Sequence, residues 1–269
     1  MKRVTRSLLT AALGVALATA TLGTSAQAFT GSYVAGAGIN GTPHDLGTAH
    51  NGMDYTASPS DPLNRICIFC HAPHNTYRLS SAAGTGTGPL APDAFDYLPL
   101  WNHTLTSDPT YTMYDNGPGA PQSGSKASQA ILNGMTPGST SLLCLSCHDG
   151  TIAVNSYGNA DQITQSTGTT TMTPAYQIGA DKYLGNHHPI GFNYDDVQLG
   201  DTEIRNADTA KLTPTSFVRD HLSGDAHMEC ATCHSVHNKG NDGERLLWRS
   251  DQNSELCLTC HDKGIYTAP

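Results

Sequence analysis

The chain contains the pattern Cys-x-x-Cys-His at four places: Cys67-Ile-Phe-Cys70-His71, Cys144-Leu-Ser-Cys147-His148, Cys230-Ala-Thr-Cys233-His234 and Cys257-Leu-Thr-Cys260-His261. These four motifs use all eight cysteines of the 269-residue chain. The pattern is the attachment signature of c-type haem, in which two cysteine sulfurs bond to the porphyrin edge and the histidine binds the iron. We therefore predict four covalently attached haem c groups, each with the histidine of its motif as the proximal ligand.

Zinc binding, disulfide formation and thiol redox chemistry fit these cysteines less well. Structural zinc sites use Cys-x-x-Cys pairs but do not require a histidine directly after each pair. A disulfide framework would not repeat such a fixed spacing. A thioredoxin-like redox pair occurs singly beside a βαβ pattern, which is not apparent in this sequence.

Residues 1–28 have the layout of a secretory signal peptide. Three basic residues precede a short apolar stretch over 8–22, and Ala26-Gln27-Ala28 is a small-residue cleavage site. We expect a mature chain that begins at Phe29 and is exported without membrane insertion, because the apolar stretch is too short to be kept as a span. The formal net charge of −9 argues against nucleic acid or an anionic membrane surface as a partner.

The composition predicts a fold organised by haem. The chain has 27 Gly but only five Phe and two Trp, so its polypeptide alone can bury little apolar surface. We expect a mostly irregular chain with short helices and little strand, and an apoprotein that does not fold. Local patterns predict a short helix over Lys126–Asn133, helical turns leading into the haem motifs as at Ser254–His261, and a strand or extended arm over Ile190–Leu199.

An internal repeat divides the chain into two two-haem modules. Each copy contains a Cys-x-x-Cys-His motif, a further His-Asn three residues after its histidine, a leucine-rich stretch with a tryptophan, and a second motif ending in His-Asp. We place the first module at 29–150, a linker or insertion at 151–187 and the second module at 188–269. Trp101 and Trp248, the two tryptophans of the chain, are expected at equivalent places.

The remaining histidines are candidates for the second, distal iron ligands. Four of the 13 histidines belong to the motifs, so nine remain for four irons, and this surplus favours bis-histidine ligation throughout. His74 and His237 each follow a proximal histidine by three residues and can reach a neighbouring haem but not the far face of their own. We choose His44 and His188 to complete the set, and the rivals are His50, His103, His187, His221 and His227.

These motifs, in this order, resemble the doubled Cys-x-x-Cys-His multihaem cytochromes. Within them the chain is most similar to secreted tetrahaem cytochromes that polymerise into extracellular filaments, of the OmcE type, and the similarity extends over residues 44–262. The resemblance implies stacked bis-histidine haems that form a continuous path through a homopolymer. It also implies that an axial histidine can come from a neighbouring subunit, for which the N-terminal arm with His44 or His50 is the natural donor.

The sequence leaves several functions open. We expect extracellular electron transfer by a conductive filament, with other cytochromes or extracellular electron acceptors as partners, rather than an enzyme. A monomeric periplasmic electron shuttle would use the same chemistry. A multihaem reductase would need an iron with an open position, which the histidine surplus makes unnecessary. Haem storage or a structural surface fibre is a fourth alternative.

Overall fold

The computed structural model describes residues 33–46, 65–73, 100–106, 108–114, 135–157 and 171–269. The described α-helices are α1 (Ser139–His148), α2 (Tyr194–Gly200), α3 (Cys230–Cys233) and α4 (Glu255–Cys260). Short 3-10 helices lie at Ile66–Phe69, Pro174–Tyr176, Ala180–Lys182, Val218–His221 and Gln252–Ser254. None of the helices in the described ranges has the length and apolar character needed to span a membrane.

Strands are equally short. They are β1 (Phe192–Asn193), β2 (Lys211–Thr213), β3 (Ser216–Phe217) and β4 (His227–Met228). Strand β1 pairs with β4 and β2 pairs with β3, both antiparallel, as two separate two-stranded sheets. For the described residues this confirms the prediction of a mostly irregular chain with short helices and little strand.

Each haem motif lies on a helical turn. In three of the four motifs the histidine N–H donates to the carbonyl of the first cysteine, at 2.8 Å for His71, 3.1 Å for His234 and 2.9 Å for His261. Residues three apart lie on the same side of a helix, so each turn presents both sulfurs in one direction. The helical turn predicted before the last motif is confirmed, with α4 at Glu255–Cys260.

The short strand or extended arm predicted over Ile190–Leu199 is confirmed only as a strand at Phe192–Asn193 and is wrong from Tyr194 onward, where the chain is helical. The segment contains the two-residue strand β1 followed by helix α2. The Asn193 side chain accepts hydrogen bonds from the N–H groups of Asp195 and Asp196, at 2.9 and 3.3 Å, and so caps the helix. The two aspartates also place negative charge in the first turn, where it stabilises a helix. The helix predicted over Lys126–Asn133 lies outside the described residues.

The internal repeat is visible in backbone hydrogen bonds. In each copy the residues around the first motif's histidine pair with the leucine-rich stretch that follows. The bonds are Ala72 N–H to Leu100 O at 3.0 Å, Asn102 N–H to Cys70 O at 2.8 Å, Ser235 N–H to Leu246 O at 2.6 Å and Trp248 N–H to Cys233 O at 2.9 Å. The two copies therefore share one register.

This register corrects the expected position of the tryptophans. It equates Trp101 with Leu247 and Trp248 with Asn102, so the two tryptophans differ by one position. Trp101 is buried. The indole of Trp248 donates from Nε1 to the carbonyl of Ala231 at 2.9 Å and packs against the second module's core.

Apolar side chains form three small clusters. One contains Trp101, Leu105, Tyr111, Leu142, Leu143, Leu145 and Leu184. Another contains Tyr194, Ala207, Ala210, Leu212, Val218, Leu222 and Met228. The third contains Leu46, Phe69, Val154, Tyr157 and Met172. Described parts of the predicted 151–187 linker thus pack with residues of the first module.

The N-terminal arm (residues 33–46) is attached to the second module by Asn238. The Asn238 side chain accepts from Gly36 N–H at 3.1 Å and donates to the carbonyls of Val34 and Gly38, each at 2.8 Å. Its own carbonyl accepts from Gly38 N–H at 2.7 Å. Asn238 is fully buried with a positive φ of 49°, a conformation that asparagine tolerates better than most residues.

Glu229 joins α3 to the start of α1. One carboxylate oxygen accepts from Gly138 N–H at 3.0 Å, and the other contacts the Ser141 hydroxyl. Ser141 Oγ in turn accepts from Cys230 N–H at 3.1 Å. Burial raises the pKa of the Glu229 carboxyl to about 7, with the hydrogen bonds from Ser141 and Gly138 acting in the opposite direction.

We predict that Glu229→Gln reduces the dependence of stability on pH. The carboxyl pKa rises from 4.5 to about 7 on folding, so the native state holds a proton that the unfolded state releases. The stabilisation is therefore complete below about pH 4 and is lost as the pH rises through about 7. Glutamine remains neutral, so the variant should gain stability relative to the parent at about pH 8 and not at about pH 4.

The measurement is the denaturant midpoint of the haem-loaded protein across this pH range. Glu244→Gln, at an exposed position, is the matched control and should follow the parent curve. Parallel curves for Glu229→Gln and the parent would contradict the prediction.

Candidate haem-binding site

All eight cysteines are described, and none forms a disulfide. Burial raises the pKa of the thiols of Cys70, Cys147 and Cys233 to about 12, which disfavours the thiolates that a zinc site requires. Within the described ranges, no group of three or more His, Cys, Asp and Glu side chains is arranged to hold a metal ion. Cys70, Cys147 and Cys233 are therefore better suited to covalent attachment than to binding zinc.

Three proximal histidines each face a second histidine. The ring centres are 6.1 Å apart for His148 and His44, 6.1 Å for His71 and His237, and 6.3 Å for His261 and His188. The second member of each pair belongs to the set of distal ligands chosen from the sequence. The sequence did not say which distal histidine serves which haem, and the structure places these three beside His148, His71 and His261.

The separation within these pairs suits an iron atom between the rings. Metal–imidazole bonds are about 2.0–2.1 Å long. Two such bonds in line, added to the distance from each nitrogen to its ring centre, give a separation of about 6 Å between ring centres. Direct packing of the rings does not require this spacing, whereas bis-histidine ligation does.

Backbone carbonyls orient several of these rings. The Nδ1 atoms lie near carbonyl oxygens in His188 (Pro189 O, 2.9 Å), His234 (Arg245 O, 3.1 Å), His148 (Tyr176 O, 3.4 Å) and His44 (Val236 O, 3.4 Å). A proton on Nδ1 leaves the Nε2 lone pair for iron, and such a bond also fixes the ring orientation. Burial, followed by the proximity of His148, lowers the pKa of His44 to about 4 and keeps its imidazole neutral.

Two rival histidines use their ring nitrogens elsewhere. His103 is buried, with Nδ1 at 2.8 Å from Thr104 O and Nε2 at 3.0 Å from Ala153 O. His221 Nε2 lies 2.7 Å from Ser216 Oγ, and its ring packs on Trp248. These contacts argue against iron ligation by either residue.

The other rivals are less constrained. His227 is exposed on β4 opposite Asn193, and His187 is half-buried beside His188. His50 and His74 lie outside the described residues. The described residues show no histidine pair for His234. His74, chosen from the sequence as a distal ligand, therefore stays a prediction.

Sequence reasoning did not identify the charges behind the second motif of each module. Asp149 and Asp262 directly follow the motif histidines. Asp149 binds Lys182 Nζ at 2.6 Å and also accepts from the Tyr111 hydroxyl at 2.7 Å. Asp262 binds Arg205 at 2.6 Å. The repeated Cys-His-Asp was the available signal, but the cations come from segments that no local pattern connects to it.

The residues present fit covalent haem. The paired cysteines and paired imidazoles supply the required donor set. In addition, the Nε1 atom of Trp101 is buried without a hydrogen-bond partner, and its ring lies 6.1 Å from that of His71. A donor in this position is suited to an acidic group of a haem held by the first motif.

Comparison with protein families agrees with this geometry. Residues 224–265 match the doubled CXXCH motif family, a stretch that contains the third and fourth motifs. A comparison with curated protein sequences gave no match. The family match supports a multihaem c-type cytochrome with covalently bound haem and a role in electron transfer.

We predict that His188→Ala and its neighbour His187→Ala have different effects. Only His188 faces a proximal histidine, so its removal should convert one haem to a high-spin state that binds cyanide. His187→Ala should leave every haem low-spin. Absorption and electron paramagnetic resonance spectra of the haem-loaded proteins measure the difference, and a low-spin His188→Ala protein would contradict the assignment.

Proposed function

We propose that this protein is an exported tetrahaem cytochrome that conducts electrons outside the cell as a homopolymeric filament. The observation that carries the proposal is the pairing of three proximal histidines with second histidines at 6.1–6.3 Å. Bound haem would supply a one-electron redox centre, and two imidazoles on each iron favour a low potential. Two imidazoles at each of these three irons would favour electron transfer over catalysis.

The attachment cysteines support a linear order of haems. Thiols of successive motifs lie close enough for one to raise the pKa of the other: Cys147 acts on Cys70, Cys230 on Cys144, and Cys260 on Cys233. Each of these neighbouring pairs joins one motif to the next along the chain. Attachment points arranged in this succession suit transfer through the protein from one end to the other.

The two modules share ligands. His237 of the second module faces His71 of the first, and Asn238 beside it holds the N-terminal arm. The arm in turn presents His44 to His148. Each of these links uses residues that are far apart in sequence, so the haems would hold the modules together. This arrangement supports a rigid tetrahaem unit.

The arm is also our candidate for exchange between subunits. Within this chain His44 faces His148, and the same docking by the arm of a neighbouring copy would place an axial histidine across a subunit boundary. His50 is the alternative donor. We therefore propose the protein itself as a partner, together with cytochromes or extracellular electron acceptors at the ends of the filament.

Electron microscopy of fibres sheared from expressing cells, with haem staining and intact mass of the same material, tests the proposal. We expect fibres built from a chain that begins at Phe29 and carries four haems. A soluble tetrahaem monomer confined to the periplasm would instead support an electron shuttle. A high-spin haem that binds nitrite or cyanide would support a reductase, and failure of dithionite to reduce the haems would favour a storage or structural role.

The role of the arm has its own prediction. His44→Ala should produce one high-spin haem and should shorten or abolish the fibres if the arm crosses between copies. Asn40→Ala, which alters an exposed side chain of the same arm that is not a candidate ligand, is the matched control and should leave spectra and fibres unchanged. Intact fibres with four low-spin haems in His44→Ala would exclude this residue as the donor.

A further inference from the structure

The register of the repeat places His103 and Arg249 at the same position in the two copies. His103 directly follows Asn102, and Arg249 directly follows Trp248. The N–H groups of these two preceding residues donate to the carbonyl of the second cysteine in the first motif of their own module, at 2.8 and 2.9 Å. His103 is 1% exposed and Arg249 is 3% exposed. A buried basic residue in the same place twice suggests a common purpose.

Both residues contact the helix that carries the second haem motif of their module. His103 Nδ1 is 3.3 Å from Ser146 Oγ, and Arg249 donates to Thr259 Oγ1 at 3.0 Å. Ser146 and Thr259 occupy the same motif position, directly before the second cysteine. Both hydroxyls donate to a carbonyl of their own helix, at 2.6 and 2.9 Å, so each offers only lone pairs to the basic residue.

The remaining neighbours of the His103 ring are also acceptors. Nδ1 lies 2.8 Å from Thr104 O, and Nε2 lies 3.0 Å from Ala153 O and 3.3 Å from Cys147 Sγ. That sulfur has no hydrogen once it is bonded to haem. A neutral imidazole has one donor and one acceptor nitrogen, so one of its lone pairs would face a carbonyl oxygen. Only the protonated ring satisfies both sides.

Arg249 shows what the position accommodates. Its guanidinium donates to Thr259 Oγ1 and to the carbonyls of Lys211 and Thr267, and its Nε lies 3.7 Å from the Glu255 carboxylate. Arginine is a permanent cation in proteins. The same site therefore holds a fixed positive charge in the second module and a titratable group in the first.

The surroundings of His103 act on its pKa in opposite directions. Burial is the larger effect and lowers the pKa below its ordinary value, while the carbonyls of Thr104, Ala153 and Val154 act to raise it. Other titratable or charged groups on the described elements around it are Tyr111, Tyr157, the Asp149–Lys182 ion pair and, at the far end of α1, Glu229. The opposite charges of Asp149 and Lys182 largely cancel each other. A change of charge at the second haem would therefore be the main electrostatic influence on the proton affinity of His103.

We propose that His103 is a redox-linked proton site of the second haem, whereas Arg249 supplies a fixed charge behind the fourth. Reduction of the second haem from Fe(III) to Fe(II) by an external reductant adds one electron. With haem bound, His103 would then take one proton from solvent, and reoxidation would release both the electron and the proton. The inference rests on the proposed attachment of haem at the second and fourth motifs.

The test is a spectroelectrochemical titration of the haem-loaded protein between about pH 5 and 9. A one-electron step coupled to one proton moves by up to about 59 mV for each tenfold change in proton concentration. We expect one such step in the parent protein and its loss in His103→Arg. The reciprocal variant Arg249→His should create a second pH-dependent step. Glu229→Gln is the control for the other buried acid and should leave the His103-dependent step in place.

Haem count and low-spin spectra, measured first, separate failure of the proposed function from failure of this inference. If the reduction potential of His103→Arg keeps the pH dependence of the parent protein, the inference about His103 is overturned. If that variant does not take up four haems, nitrogen NMR of the reduced, diamagnetic parent decides the question. Protonation of both His103 ring nitrogens in the reduced protein supports the proposal, and a single protonated nitrogen at about pH 6 overturns it.

Discussion

The structure is organised by pairs of imidazoles from distant segments, which the proposed haems would bridge. His71 faces His237, and His44 faces His148, so two of the three observed pairs join residues more than a hundred positions apart in the sequence. The apolar clusters are small and separate, and they give the described part of the chain no single large core. Haem would close these long loops much as disulfides close loops in other exported proteins. The irregular backbone follows, because cross-links rather than continuous secondary structure hold the segments.

Part of this arrangement could be predicted from the sequence because it is local. A Cys-x-x-Cys-His motif specifies a helical turn with both sulfurs on one side, and the surplus of histidines favours two imidazoles per iron. The choice among nine remaining histidines is not local. His44 is oriented by the carbonyl of Val236, 192 positions away, whereas His103 has both nitrogens engaged by carbonyls. These carbonyl positions follow from tertiary structure, which no spacing in the sequence encodes.

The errors have similarly specific causes. Matching the two tryptophans by residue type shifted the repeat by one, because backbone pairing equates Trp101 with Leu247. The segment after Ile190 has apolar residues compatible with a strand, but the Asn193 side chain caps a helix there. Glu229 carried no motif at all, and its importance comes from burial against α1. In each case the structure is determined by specific hydrogen bonds that residue types and their spacing do not reveal.

Correct alignment of the repeat changes how the two modules compare electrostatically. Behind both second motifs an aspartate is neutralised by a cation, Lys182 in one module and Arg205 in the other. These ion pairs are common to both modules, whereas the position shared by His103 and Arg249 differs, and Arg249 there also lies 3.7 Å from the Glu255 carboxylate. With haem bound as proposed, a permanent cation at this position would hold the driving force for electron transfer constant, whereas a titratable group would make it depend on pH. A repeat can thus keep ligation and backbone geometry unchanged while one substitution differentiates its redox centres.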